Sequence, residues 1–274
     1  MSIKLIRQRF DRAANQYETA AFLQKEIANR LFERLLLMKH SPRIAVDIGT
    51  GTGFSLALLK EHFPQTLTLG FDFSLNMCTQ ANSNTGEMVV CADAHRLPLA
   101  DGSVDWVIGN CVLQWTDPEI IFKEAKRVLK PGGILFLSTF GPDTLKECKA
   151  SWAQVDTRPH VHEFPDMHDL ADILLKNGFE DPVADRDDIT VAYESPALLL
   201  RDLRTIGAQN AHLDRRRSLM GKSRLEAFYS AYEGFAQPDG SYPATYEVIY
   251  LHANKRRPTG SQHDPIRLSP DLKS

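Results

Sequence analysis

Cysteine is scarce in this chain of 274 residues: Cys78, Cys91, Cys111 and Cys148 stand far apart, with no C-x-x-C pair. That spacing argues against a zinc ribbon or a disulfide framework and fits small buried side chains in a reducing compartment. No apolar run approaches the roughly 18 residues that span a bilayer. Residues 1–10 also lack the apolar stretch of a secretion signal, so a cytoplasmic protein without a membrane partner is expected. Neither sign of charge is in excess: the formal net charge is −3, which gives no bulk reason to expect a nucleic-acid partner. Three histidines, His160, His162 and His168, lie near one another but lack the carboxylates of a typical metal cage, and no metal is expected.

What is present is an ordinary soluble composition, 43% hydrophobic and 24% charged, organised around Val46-Asp47-Ile48-Gly49-Thr50-Gly51-Thr52-Gly53-Phe54. An apolar run precedes this stretch and Ser55-Leu56-Ala57-Leu58-Leu59-Lys60 follows it, the pattern of a turn between a buried strand and a helix. Alternate glycines allow close backbone approach, and the helix start offers free N–H groups to a nucleotide. The third glycine comes one residue earlier than in the dinucleotide fingerprint, and Asp47 stands before the first. A carboxylate there would repel a pyrophosphate but attract a cation such as the ammonium of an amino-acid moiety. A second strand-like run ends in Asp72, placed to hold both ribose hydroxyls, and a third ends before Asp93.

This pattern resembles the S-adenosyl-L-methionine (SAM) site of class I methyltransferases. The resemblance implies a cofactor site of Asp47, Gly49, Gly51, Gly53 and Asp72, with Phe73 and Met77 following. Asp93 would contact the adenine amino group beside Ala94, and Asn110 would stand at the end of the fourth strand. SAM would be the cofactor, leaving as S-adenosylhomocysteine.

Along the chain, residues 3–38 read as two amphipathic helices broken near Asn15-Gln16. Strands are expected at 43–48, 66–71, 87–91, 104–109 and 133–139, with helices between them. The last of these helices starts at Asp117 and Pro118 and runs to Lys130. Repeated strand–helix units imply a parallel sheet whose ligands bind at the carboxyl ends of its strands. After Phe140 come two helices around a polar loop, a sixth strand at 188–193, helices over 195–235, and a final strand at 242–253. The expectation is an α/β, Rossmann-like class I methyltransferase fold: a seven-stranded, mostly parallel sheet with N-terminal helices and a helical lid insertion. Its parts would be a cap (1–42), a SAM-binding core (43–194), a lid (195–235), closing strands (236–254), and a polar tail (255–274) with too little apolar surface to fold.

Methyl transfer from a sulfonium is an in-line displacement, so alignment and exclusion of water matter most. No base–nucleophile pair stands near the strand ends, which favours an acceptor already ionised near pH 7, a carboxylate, and no catalytic acid or base is expected. Arg201 and Arg204, three apart on a lid helix, could hold a second acid group or form a solvated basic face. The cluster Arg215-Arg216-Arg217 could meet an acidic protein.

Other stretches carry a more specific likeness. Phe10-Asp11-Arg12-Ala13-Ala14-Asn15-Gln16-Tyr17-Glu18, Asn110-Cys111-Val112-Leu113-Gln114-Trp115, Leu200-Arg201-Asp202-Leu203-Arg204-Thr205-Ile206-Gly207-Ala208 and Tyr242-Pro243-Ala244-Thr245-Tyr246 resemble the BioC family. These are the malonyl-[acyl-carrier protein] O-methyltransferases of biotin synthesis. The resemblance implies methylation of the free carboxylate of a malonyl thioester on acyl-carrier protein, a disguise under which the chain can be elongated toward the pimeloyl skeleton. Tyr17, Gln114, Trp115, Arg201 and Arg204 would line the acceptor pocket, with Arg201 on the malonyl carboxylate. A methyltransferase of a free small carboxylic acid, or a non-catalytic assembly factor of the same fold, remain as alternatives.

Overall fold

The computed structural model describes residues 3–38, 41–208 and 221–257. Two helices, α1 (Ile3–Ala20) and α2 (Phe22–Leu35), precede the strand–helix series β1 (Ile44–Ile48), α3 (Phe54–His62), β2 (Leu67–Asp72), α4 (Leu75–Thr85) and β3 (Met88–Cys91). There follow β4 (Val104–Gly109), α5 (Pro118–Val128), β5 (Leu129–Phe140), α6 (Lys146–Ala153), α7 (Met167–Lys176) and β6 (Phe179–Tyr193). Last come α8 (Pro196–Thr205), α9 (Lys222–Tyr232) and β7 (Tyr242–Lys255). The strands form one sheet in the order β3-β2-β1-β4-β5-β7-β6, with β7 antiparallel to both its neighbours and the rest parallel.

The chain leaves β1 toward β2 on one side and returns through β4 on the other. The carboxyl ends of β1 and β4 therefore flank the point where the strand order reverses, where open α/β sheets bind ligands. Side chains alternate across the sheet as a two-residue repeat requires. On β4, Trp106 and Ile108 join a core with α2, α3, α6 and α9 and Val107 joins another with α5 and α7; Val104 falls in that second core because the register shifts between it and Trp106. On β7, Val248 and Tyr250 face the first core and Ile249 and Leu251 the second. Both faces are thus covered, so the central strands read as continuous apolar runs.

Several boundaries differ from expectation. α1 runs unbroken past Asn15 and Gln16 and ends at Ala20. Both polar residues face outward, where Gln80 on α4 donates to Asn15 Oδ1 at 3.3 Å, so they do not interrupt the helix. α5 stops at Val128, because Leu129 already has extended backbone and the N–H groups of Gly102 and Ser103 take the carbonyls of Arg127 and Val128. β5 therefore starts at Leu129, so Leu129 and Lys130, expected in the helix, belong to the strand.

β6 begins at Phe179, not at residue 188. Its charged residues disguised it, but they lie on an edge strand, where outward-facing charge is tolerated and discourages edge pairing. The start of α5 matches the reading: Asp117 accepts from the N–H of Glu119 at 2.9 Å and Pro118 leads. Ser195 holds the cap position of α8 without a side-chain cap bond. Lys255 closes β7 and does not begin the tail; residues 258–274 and the cluster Arg215–217 lie outside the described residues.

Candidate active site

The turn after β1 is shaped by glycine where no other residue fits. Gly49, Gly51 and Gly53 all have positive φ, at 66°, 54° and 93°. A Cβ on Gly49 would stand 2.5 Å from Val112 Cγ2, whereas one on Gly51 would meet only Tyr17, at 3.8 Å. Gly53 differs in role: a Cβ there would come within 2.8 Å of Thr85, so it lets α3 pack on α4, and it does not line the cavity. The turn is tied to β2 by Thr50 N–H donating to the Phe71 carbonyl at 3.0 Å.

Against this turn lies a cleft of about 750 Å³, counting the space open to solvent. Gly49, Gly51, Asp72, Phe73, Met77, Asp93, Ala94 and Asn110 all line it, so eight of the ten residues assigned to the cofactor are brought together. Asp72 is buried and held by two backbone donors, Gly51 N–H on Oδ2 at 3.0 Å and Ser74 N–H on Oδ1 at 2.9 Å. Burial pushes its carboxyl up to about 6, against the pull of those bonds. Asp93 is more exposed and engages the His95 ring at 2.7 Å. Asn110 has committed its side chain, donating to the Gln24 carbonyl at 2.8 Å and accepting from Ser138 Oγ at 2.6 Å. What it offers the cavity is backbone, followed by a strained Cys111 with φ of 52°.

Asp47 lies beneath the turn, 1% exposed, and is not part of the cavity wall. Thr50 donates to its Oδ2 at 2.6 Å, while Oδ1 is buried with no hydrogen-bond partner. A buried carboxylate oxygen without a donor is costly, and burial pushes this carboxyl up to about 7. A buried acid under a glycine turn fits a ligand that brings positive charge to that turn, since a nearby cation favours its ionised form. A small polar cavity adjoins there, lined by Tyr17, Gln24, Lys25, Gly49, Gly51 and Asn110 among others. Lys25 pairs with Glu18, which accepts from Thr52 Oγ1 at 2.6 Å. Acidic side chains on one side and polar groups on the other could hold a ligand with a sugar at one end and an ammonium at the other.

A second, larger cavity of about 1370 Å³ opens among α2, α6, α8 and β7. Gln114, Trp115 and Arg204 line it, together with Phe140, Trp152, His160, His162, Tyr193 and Tyr246. Gln114 is set by donating to the Cys111 carbonyl at 2.6 Å. Tyr17 is not in this wall: it lines the cofactor cavity, where burial first, then Cys111 and Asp72, push its phenol up, so it acts as a neutral donor. Arg201, the residue expected on the malonyl carboxylate, and Arg204 are both exposed on α8; Arg204 lines the cavity and Arg201 does not.

His160 and His162, weighed from sequence only as metal ligands, are pocket walls. His160 stacks on Trp152 at 3.9 Å, and His162 meets the ring of Trp115 edge-on at 5.5 Å. No periodic pattern in the sequence joins these residues to β7 and α8, which lie far along the chain. Phe10, Ile3 and Ile6, which roof the cofactor cavity from α1, were likewise read only as a helix face.

A family described as a methyltransferase domain matches residues 46–137. Malonyl-[acyl-carrier protein] O-methyltransferases from Laribacter hongkongensis and from a Methylovorus species are 38% and 42% identical; the alignments cover 97% of this chain in both cases and 95% and 92% of those proteins. Among solved structures, the YcgJ protein of Bacillus subtilis superposes with a TM-score of 0.59 at 17% identity, over 83% of this chain and 98% of that one. A phosphoethanolamine N-methyltransferase of Haemonchus contortus, bound to SAM, gives 0.52 at 17% identity, over 84% and 52%. At that identity these two establish the fold alone. Fold, glycine turn and family match together define a SAM-dependent methyltransferase of class I. Its near relatives place it further: the chain belongs to the malonyl-[acyl-carrier protein] O-methyltransferase family.

Proposed function

We propose that this enzyme transfers the methyl group of SAM to the free carboxylate of a malonyl thioester on acyl-carrier protein. The observation that carries the reading is the wall shared by the two cavities: Trp115 lines both, with the nucleoside acids on one side and a mostly apolar pocket with Arg204 on the other. When bound, SAM supplies an electrophilic methyl carbon on a sulfonium. The chain's task is to aim a carboxylate at that carbon and keep water away.

Asp72, Phe73, Met77, Asp93 and Ala94 take the nucleoside, and Gly49, Gly51 and Asn110 the methionyl end, with Asp47 beneath supplying negative charge. On the acceptor side, Gln114 and Trp115 position the malonyl group, and Arg204 meets its carboxylate in the arrangement described here. Arg201, turned outward one step earlier on the same helix, suits the acidic surface of the carrier protein. A carboxylate oxygen attacks, the carbon–oxygen bond forms as the carbon–sulfur bond breaks, and the electron pair stays on sulfur. No proton moves, so no general base is needed. The product is a methyl ester with its charge hidden, suited to apolar elongation pockets on the way to the biotin precursor.

The test is label transfer from tritiated-methyl SAM to malonyl-acyl-carrier protein, with the acetyl form as control. Base-labile label on the malonyl form alone is expected. Label on neither, with SAM bound, would overturn the carrier-bound acceptor and leave a free small acid or an assembly role.

A further inference from the structure

α1 is a wall of the cofactor cavity, contributing Ile3, Ile6, Phe10 and Tyr17. It is also poorly anchored by apolar packing. Of its 18 residues only Ile6, Ala13 and Ala14 are buried, whereas α2 buries six of 14. Ala13 and Ala14 pack with Met77 in a small cluster of their own, outside the two cores that hold the sheet. An element with so little buried surface opens at low free energy.

Polar contacts take over the anchoring. Ser74 Oγ donates to Asp11 Oδ1 at 2.6 Å, and Asn76 Nδ2 donates to the Asp11 carbonyl at 2.8 Å. Ser74 is fully buried and is also the N-cap of α4, accepting from Met77 N–H at 3.2 Å. Its own N–H donates to Asp72 at 2.9 Å. One serine thus connects α1 to the acid assigned to the ribose. The position of Asp11 at the start of α4 suits a carboxylate, since free N–H groups and the helix dipole favour negative charge there.

We propose that Asp11 is a positioning residue, the latch that closes α1 over the bound cofactor through Ser74. With the latch made, Phe10 lies against Phe73 on the nucleoside side and against Trp115 on the acceptor side, at 6.1 and 5.5 Å. Closing over the cofactor therefore completes the wall behind which the acceptor is aligned. The inference rests on the SAM reading of the cavity.

Hydrogen exchange of residues 3–20 and calorimetric binding of S-adenosylhomocysteine test it in wild type, Asp11→Ala and Asp11→Asn. Asp11→Ala is expected to speed exchange of this segment even without ligand and to weaken binding about tenfold, the scale of one hydrogen bond to a charged group. Asp11→Asn keeps an acceptor oxygen for Ser74 and is expected to stay within about threefold of wild type. Wild-type exchange and affinity in Asp11→Ala would overturn the latch. Equal losses in both variants would also overturn it, by assigning the effect to charge alone. Failure of wild type to bind S-adenosylhomocysteine would count against the SAM reading, a separate result.

Discussion

Trp115 meets Phe10 edge-on, ring centroids 5.5 Å apart and planes at 86°, and this pair stands where the cofactor and acceptor cavities join. Trp115→Ala should therefore damage alignment more than cofactor binding. A fall of roughly 100-fold in kcat/KM for the malonyl carrier is expected, the scale of a misplaced reactant. Affinity for S-adenosylhomocysteine should fall by no more than about tenfold, since an edge-on pair contributes about 0.5–1.5 kcal/mol. Steady-state kinetics beside calorimetry separate the two; equal losses would place Trp115 wholly in the cofactor site.

Arg204 and Arg201 should differ in kind. With Arg204 on the acceptor carboxylate as proposed, Arg204→Ala should lower kcat/KM roughly 10- to 100-fold, about 1.5–3 kcal/mol, and most of that loss should persist in added salt because the bound acceptor encloses the pair. Arg201→Ala should raise KM for the carrier less than about fivefold, and added salt should erase the difference, as for exposed charge pairs. Initial rates at low and high ionic strength distinguish them. The reverse pattern would return the carboxylate to Arg201.

The turn glycines offer a comparison inside the site. Gly49→Ala forces a side chain into positive φ and against Val112, for an expected loss of roughly 2–4 kcal/mol in stability. Gly51→Ala meets nothing nearer than Tyr17 at 3.8 Å, so only the backbone strain of about 1–2 kcal/mol should register in thermal unfolding. Its methyl points into the cavity, however, and binding of S-adenosylhomocysteine should fall by more than tenfold. Retained affinity in Gly51→Ala would mean the ligand does not approach this turn.

Asp47 and Asp72 make the ligand-free protein sensitive to pH. Burial raises both carboxyls, to about 7 and about 6, above the 3.8 of an unperturbed aspartate. In that window the folded state holds more protons at these two groups than the unfolded chain, so the stability they contribute is complete below about 4 and declines as pH rises through 6 to 7. Asp47→Asn removes one source of the decline. Between pH 5 and pH 8 the urea midpoint should drop less in Asp47→Asn than in wild type, and parallel drops would refute the burial argument for Asp47.

Local chemistry wrote much of this protein into its sequence. The glycine turn, the acids after β2 and β3, the Asp117–Pro118 helix start and the apolar central strands each depend on neighbours a few residues away, through φ limits, capping and two-residue alternation. That eight of the ten residues expected at the cofactor line one cavity was therefore legible, with Asp47 and Gly53 the exceptions. Both sit against the turn, but one lies beneath it and the other behind it, a distinction of depth that spacing does not carry.

Tertiary packing decided the rest. Asn15 and Gln16 did not end α1 because both side chains lie outward on it, Asn15 meeting Gln80 of α4, and β6 extended through a charged stretch because β7 supplies its ladder. The acceptor cavity is assembled from α2, α6, α8, β7 and the loop bearing His160 and His162, elements far apart along the chain. Which face of α8 points inward, and so whether Arg201 or Arg204 lines that cavity, follows from the rotation of one helix against the sheet. Three residues apart, the two side chains are neighbours about 60° from each other around the helix, and only the packed fold determines which of them reaches the cavity.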